Sequence, residues 1–235
     1  MKTALPLFAL LVFGLISDTK AGTTPSVEAI SEAKSIDGGW YFGMEGGYIQ
    51  HKFNPHYTPT DGSGSFDFTD RSEGTEMGLV AGYGFGLNER FSLLAQLRGS
   101  WNNSEWKYNL LSEPARFKYD NPFNFELSAQ PTFKLTNKLG IFATLGIVSG
   151  LFNEEKTSGS PTEGDYDARD WLFGHTLGGG ISYQITNSLE CRLSLRKSFY
   201  DELTYRDFLP SGGQKNFISD KPETQTLSLA FIYSF

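Results

Sequence analysis

The chain has 235 residues and a formal net charge of −7, with 26 glycines, 20 phenylalanines and 11 tyrosines. This acidic balance argues against nucleic acid as a partner, and the single cysteine, Cys191, leaves no internal disulfide to stabilise the fold. Many aromatic residues and glycines without helical apolar stripes favour long amphipathic strands.

The N-terminal stretch is typical of a secretory signal peptide. Basic Lys2 precedes an apolar run over residues 4–16, and a small residue follows at Ala21. The run is shorter than the ~20 residues that a membrane-spanning helix needs. We therefore predict a cleaved signal peptide at residues 1–21, a polar lead-in at residues 22–37 and one β-domain at residues 38–235.

Period-two alternation of apolar and polar residues predicts eight strands in the β-domain. Phe125 and Leu127 alternate with Asn124 and Glu126 in the most regular of them. Glycines 82, 84 and 86 also recur with a period of two and precede no helical pattern, so they favour a strand over a nucleotide-binding loop. The predicted strands cover residues 39–53, 75–87, 91–102, 122–135, 139–152, 171–185, 189–200 and 223–235.

The connections between the predicted strands alternate in length. Three short turns contain Asn88, Asn137 and Asn187, whose side chains we expect to bond nearby backbone. The other connections, such as residues 54–71 and 201–221, are long and polar. An even number of antiparallel strands with short turns at one end and long loops at the other predicts a closed eight-stranded antiparallel transmembrane β-barrel with up-and-down topology.

The apolar face could point outward to lipid or inward to a ligand, as in a soluble lipocalin-like binding protein, whose G-x-W motif Gly38-Gly39-Trp40 matches. Strand length, two aromatic girdles and a polar opposite face all favour the outward orientation. The predicted girdle at the short turns consists of Tyr83, Phe85, Phe91, Phe133, Tyr183, Tyr233 and Phe235. The one at the long loops consists of Tyr48, Trp101, Phe123, Phe125, Trp171, Phe173 and Phe199.

From Gly38-Gly39-Trp40-Tyr41-Phe42-Gly43 to the closing strand, the chain resembles the eight-stranded outer-membrane barrel family typified by the OmpA transmembrane domain, OmpX and the opacity-type surface antigens. The outward residues Phe231, Tyr233 and C-terminal Phe235 resemble the family's assembly signal, which implies the barrel assembly machinery as a partner. The sequence stops at the last predicted strand, so we expect no peptidoglycan-binding domain of the kind in full-length OmpA.

Seven charged residues have inward parity and form a predicted lumen charge network. Eight strands leave an interior just wide enough for side chains to fill, and buried charges there must pair. Both signs are present, which favours a structural plug over a gate or ion path. The seven residues are Glu45, Arg98, Glu126, Lys134, Glu190, Arg192 and Arg196.

No catalytic, cofactor or metal site is predicted. We expect His51 and His56 to be solvated in the first loop, and His175 to face outward. Some lipid A deacylases of this barrel type use a membrane-facing His and Ser two residues apart, but Leu177 occupies the second position here. The acidic run at residues 165–170 has Arg169 where a calcium ligand belongs, so it favours a solvated loop. Cys191 has outward parity and is expected to be inert.

The sequence therefore predicts an integral outer-membrane surface protein with both termini in the periplasm. Its expected role is structural, adhesive or interactive, and is carried by four exposed loops toward an unidentified extracellular partner. Its other partners are outer-membrane lipid and the assembly machinery. A low-conductance porin and a soluble periplasmic lipocalin-like protein are the alternatives.

Overall fold

Strands make up nearly all of the chain that the computed structural model describes, which is residues 38–54, 56–58, 66–67, 69–109, 115–158, 166–208 and 215–235. The predicted signal peptide and lead-in lie outside these residues. The strands are β1 (Gly38–Phe53), β2 (His56–Thr58), β3 (Phe66–Asp67), β4 (Asp70–Gly86), β5 (Phe91–Asn102), β6 (Glu105–Asn109), β7 (Ala115–Lys134), β8 (Leu139–Ser158), β9 (Tyr166–Gln184), β10 (Leu189–Tyr200), β11 (Leu203–Phe208), β12 (Lys215–Asp220) and β13 (Glu223–Ser234).

Eight of these strands form a closed antiparallel barrel. Neighbouring strands pair in the order β5-β4-β1-β13-β10-β9-β8-β7, and β7 pairs again with β5, so the hydrogen-bonded ladder has no gap. The first and last strands, β1 and β13, are neighbours from Tyr41 opposite Ser234 to Lys52 opposite Glu223. This arrangement confirms the predicted closed eight-stranded barrel.

The three tight turns are held by the second residue of each turn. The side-chain oxygen of Asn88 accepts hydrogen bonds from the backbone N–H groups of Arg90 and Phe91, at 2.9 Å each. In the other two turns the equivalent acceptor is the hydroxyl of Thr136 or Thr186. The prediction for Asn137 and Asn187 was therefore wrong, because the capping oxygen must come one position earlier.

The strands extend further toward the long loops than the sequence pattern predicts. Strand β7 begins at residue 115 rather than 122, β8 continues to residue 158, and β9 begins at residue 166 within the acidic run that we expected to be a loop. The ladder passes Pro122 through a register shift between Asp120 and Phe123, which accommodates a residue without an N–H.

The long connections contain further strands. Strand β6 pairs with β7, and β11, β12, β2 and β3 form a separate four-stranded sheet. In that sheet Ile218 lies opposite Tyr57, so the connection after β1 is joined to the connection after β10. The described parts of these two connections thus pair with each other through their backbones, which the polar sequence did not indicate.

Within the described ranges no helix is long and apolar enough to cross a membrane.

Candidate functional site

The centre of the lumen holds a cluster of four charged side chains. The Arg98 guanidinium contacts the carboxylates of both Glu45 and Glu76. Nη2 of Arg196 lies 2.8 Å from Oε1 of Glu45 and 3.7 Å from Oε1 of Glu76. These side chains are at most 5% exposed, so each charge is compensated by direct contact rather than by solvent. We call these four residues the central cluster.

Glycines on neighbouring strands provide the space for this cluster. Gly78 lies opposite Glu45, and a Cβ atom there would come within 3.1 Å of the Glu45 side chain. Gly178 lies opposite Arg196, and its Cβ would lie 2.9 Å from Cγ of Arg196. Gly82 lies opposite Tyr41, whose hydroxyl a Cβ would meet. These three glycines therefore make room for long inward side chains.

A second ion pair lies nearer the short turns. Nε of Arg192 is 2.6 Å from Oε1 of Glu190, and Nη1 donates a 3.2 Å hydrogen bond to Oε1 of Gln130. The guanidinium carbon also lies 5.4 Å from the ring centre of Tyr41. This pair is satisfied locally and has no contact with the central cluster among the described residues.

Apolar side chains pack inside the lumen on both sides of the central cluster. The lower apolar cluster, toward the short turns, consists of Tyr41, Val80, Leu94, Ala230 and Ile232. The upper apolar cluster, toward the long loops, consists of Phe53, Trp106, Tyr119, Val148, Phe152, Leu172, Tyr200 and Leu203. An ion entering from the long loops would have to leave water for apolar side chains, which is costly, and an ion entering from the short turns would meet the lower apolar cluster on one side and the Arg192–Glu190 pair on the other.

The seven predicted lumen residues all face inward, but the structure does not join them into one network. Glu45, Arg98 and Arg196 come together, and Glu190 contacts Arg192. Glu126 lies opposite Arg98 in the strand register, yet no described residue hydrogen-bonds its Oε1 atom. Lys134 is half-buried at the short-turn mouth.

Glu76 is the member of the central cluster that sequence reasoning missed. It has the inward parity of Gly78 and Val80, and its relative exposure is 2%. The period-two alternation also gives Glu76 inward parity, but the predicted strand began at residue 75, so Glu76 was its second residue and was not included among the lumen charges. The observed β4 begins five residues earlier.

The prediction that His51 is solvated was wrong. His51 is 1% exposed and stacks on Phe53 of the upper apolar cluster, with ring centres 6.0 Å apart. It shares inward parity with Glu45, because six residues along a strand return to the same face. His56 and His175 are exposed, and His175 stacks on Phe199 at 5.1 Å.

The outer wall of the barrel carries the large apolar side chains. Met77 is 72% exposed and Ile147 is 64% exposed, although both lie in the middle of long strands. At the short turns Phe91 packs against Phe133 on the neighbouring strand, at 4.7 Å. Most large apolar side chains of the barrel strands thus face away from the lumen, and the charged central cluster inside is unlike the apolar interior of a lipocalin-like protein.

Comparisons with solved structures agree with this geometry. The outer membrane protein OprG from Pseudomonas aeruginosa aligns with a TM-score of 0.58 and 13% identity, over 86% of this chain and 99% of that chain. The chain has the fold of the outer-membrane β-barrels. The outer membrane protease OmpT from Escherichia coli matches 89% of this chain and 100% of its own, at 11% identity and a TM-score of 0.46. Neisserial surface protein A matches 83% of this chain and 97% of its own, at 15% identity and a TM-score of 0.41. No family model and no curated protein matches the sequence.

The predicted assembly residues lie on the lipid-facing side of this outer-membrane barrel fold. Phe231 and Tyr233 are exposed, and Phe235 is 81% exposed. The ring of Phe235 contacts Tyr233 edge to face at 5.3 Å, and its backbone N–H donates to the carbonyl of Trp40 at 3.1 Å. The C-terminal aromatic therefore lies at the junction where the first and last strands close the barrel.

At the opposite end, a buried carboxylate ties the second sheet to the barrel. The backbone N–H of Asn54, which follows β1, donates a 2.7 Å hydrogen bond to Oδ1 of Asp220 at the end of β12. Burial raises the pKa of Asp220 to about 6, although the N–H groups of Asn54 and Lys221 oppose this increase. The tie is therefore sensitive to pH in the mildly acidic range.

Proposed function

We propose that this chain is an integral outer-membrane barrel with a filled lumen, which acts through the surface formed by its long connections. The observation that carries the proposal is the packing of the lumen, where the central cluster lies between the lower and the upper apolar clusters. A barrel of eight strands filled in this way supports a structural or interaction role rather than conduction.

The surface role is supported by order at the long-loop end. The pairing of β2 with β12 joins two connections into one sheet beyond the apolar belt. This paired backbone is the part of the long connections that we expect to meet an extracellular partner. In this proposal residues 1–21 direct secretion, the barrel assembly machinery inserts the chain, and Gly38 and Phe235 lie at the periplasmic end.

Conductance in planar bilayers distinguishes a filled barrel from a low-conductance porin. The unmodified protein should give only small and rare steps. Arg98→Ala should give more frequent steps, because it removes a cation that holds two carboxylates in the lumen. Large and steady channels from the unmodified protein would support the porin instead. The protein should stay in the membrane fraction after osmotic shock, which reports its insertion. It should also migrate differently on a gel before and after heating, which reports closure of the barrel.

Loop shortening tests the surface role. Each long connection is shortened in turn in cells that display the protein, and attachment is scored on a fixed panel of matrix-protein and glycan surfaces. Loss of attachment with one or two shortened connections, at unchanged surface level, is the expected result. Equal attachment by all variants and by cells lacking the protein would remove the interaction role.

A further inference from the structure

The short-turn mouth of the lumen contains an open depression beside the lower apolar cluster, with a cavity volume of about 30 Å³. Strands β5, β7, β8, β9 and β10 line it, together with the turn at residues 136–138. Of the lower apolar cluster, Leu94 lies in its wall. The mouth is thus apolar on one side and polar on the other, and we call this polar depression the mouth pocket.

The charged side chains that line the mouth pocket are mostly cationic. Lys134, Lys138 and Arg192 line it, and Glu190 is the one anionic side chain among the described lining residues. The side chain of Arg192 is 7% exposed, and Glu190 holds its Nε atom at 2.6 Å. This positive lining belongs to a chain whose overall charge is −7.

Two nearly buried hydroxyl groups add donors to the same wall. Ser92 is 4% exposed and Ser182 is 8% exposed, and both line the mouth pocket. Gly140 lies opposite Ser182, and a Cβ there would come within 2.8 Å of the Ser182 hydroxyl oxygen. The backbone thus leaves space in front of this hydroxyl.

We propose that the mouth pocket binds a small soluble oxyanion, such as a phosphate or carboxylate group. Ammonium, guanidinium and hydroxyl groups all donate hydrogen bonds, and charged donors bind oxyanions most strongly. The buried part of the lining, which includes Ser92, Ser182 and Arg192, faces the lumen, whereas lipid headgroups meet the outer wall. The source of the oxyanion is therefore a solute rather than a lipid.

Titration of the full chain with inorganic phosphate tests the proposal. The protein is held in zwitterionic detergent micelles, and binding is followed by calorimetry. Lys134→Gln and Lys138→Gln should each weaken binding about tenfold, the effect of losing one charge-assisted hydrogen bond. Arg90→Gln is the matched control, because it removes one positive charge from an exposed turn at the same end and its side chain does not line the mouth pocket. It should change affinity by less than about twofold.

Further variants and a binding experiment with lipid vesicles complete the test. Lys138 is exposed in a turn, so its variant should fold, and the gel shift on heating verifies this for every variant. Ser182→Ala should weaken phosphate binding severalfold without changing charge. The proposal is overturned if the unmodified protein binds no phosphate, or if Arg90→Gln costs as much as the lysine variants. It also fails if the lysine variants alter only association with phosphatidylglycerol vesicles, since the ligand would then be a lipid headgroup.

Discussion

Removing Arg98 should destabilise the barrel more than any exposed charge does. Its guanidinium is buried in contact with Glu45 and Glu76. After Arg98→Ala, Arg196 is the cation left in the central cluster, and it lies 3.7 Å from the nearer oxygen of Glu76. Breaking a buried pair by removing one partner costs about 3–5 kcal/mol. We expect the free energy of unfolding to fall by that amount.

Urea unfolding in lipid vesicles, followed by tryptophan fluorescence and the gel shift, measures this loss. Arg90→Ala, at an exposed turn, is the control and should change stability by about 0.5 kcal/mol or less. Glu76→Gln combined with Arg98→Met should restore part of the loss, because both charges are then removed. The double variant should be more stable than the sum of the single effects by about 0.5–3 kcal/mol.

Two results would refute this reasoning. If Arg98→Ala unfolds at the same urea concentration as the control, the ion pairs do not hold the lumen. If the effects of Glu76→Gln and Arg98→Met simply add, the two residues act independently, and the loss has another cause, such as a cavity.

Three further predictions concern other parts of the molecule. Deleting Phe235 should reduce the yield of membrane-inserted protein more than Phe199→Ala does, and equal yields would argue against an assembly signal. Gly82→Ala should lower the free energy of unfolding in urea by about 1–3 kcal/mol, because its Cβ would meet a hydroxyl and a backbone carbonyl on neighbouring strands. Gly46→Ala is the control and should cost clearly less, because the nearest atom to its Cβ would be 3.9 Å away. The pKa of Asp220 in the folded protein, about 6, exceeds its ordinary value of 3.8, so its contribution to stability should fall as pH rises from about 4 to above 6. Asp220→Asn should remove this part of the pH dependence of the free energy of unfolding. An unchanged pH dependence in the variant would show that Asp220 is not its source.

The barrel strands were predictable from the sequence wherever one face meets lipid. The predicted strands at residues 91–102 and 189–200 have the observed bounds of β5 and β10. Beyond the apolar belt both faces of a strand meet water or polar groups, so alternation fades while backbone pairing continues. Lys118 and Asp120 lie in such a stretch of β7. Strand ends there cannot be located from periodicity alone.

The direction of the lumen side chains was predictable, but their partners were not. A period of two places Arg98 on the inner face, whereas its contacts depend on the stagger between strands, which alternation does not encode. Arg98 lies opposite Glu126 in the register, yet its guanidinium reaches Glu45 and Glu76. Side-chain length and the space left by glycines decide such contacts.

The packing of the lumen follows a simple rule of long side chains facing glycines across a strand pair. Glu45 faces Gly78, Tyr41 faces Gly82, Arg196 faces Gly178, Phe142 faces Gly180 and Asn124 faces Gly150. In each pair a Cβ on the glycine would press against the long side chain itself. Long side chains also face each other in places, as Arg98 faces Glu126, so the glycines relieve crowding at particular levels of a narrow interior. Lipid disfavours a slip by one residue, which would turn the charges outward, but it distinguishes less between registers that differ by two residues, so these inward pairs supply contacts that favour the observed register. Gly82, one of the three glycines weighed against a nucleotide-binding loop, is therefore a packing residue of the lumen.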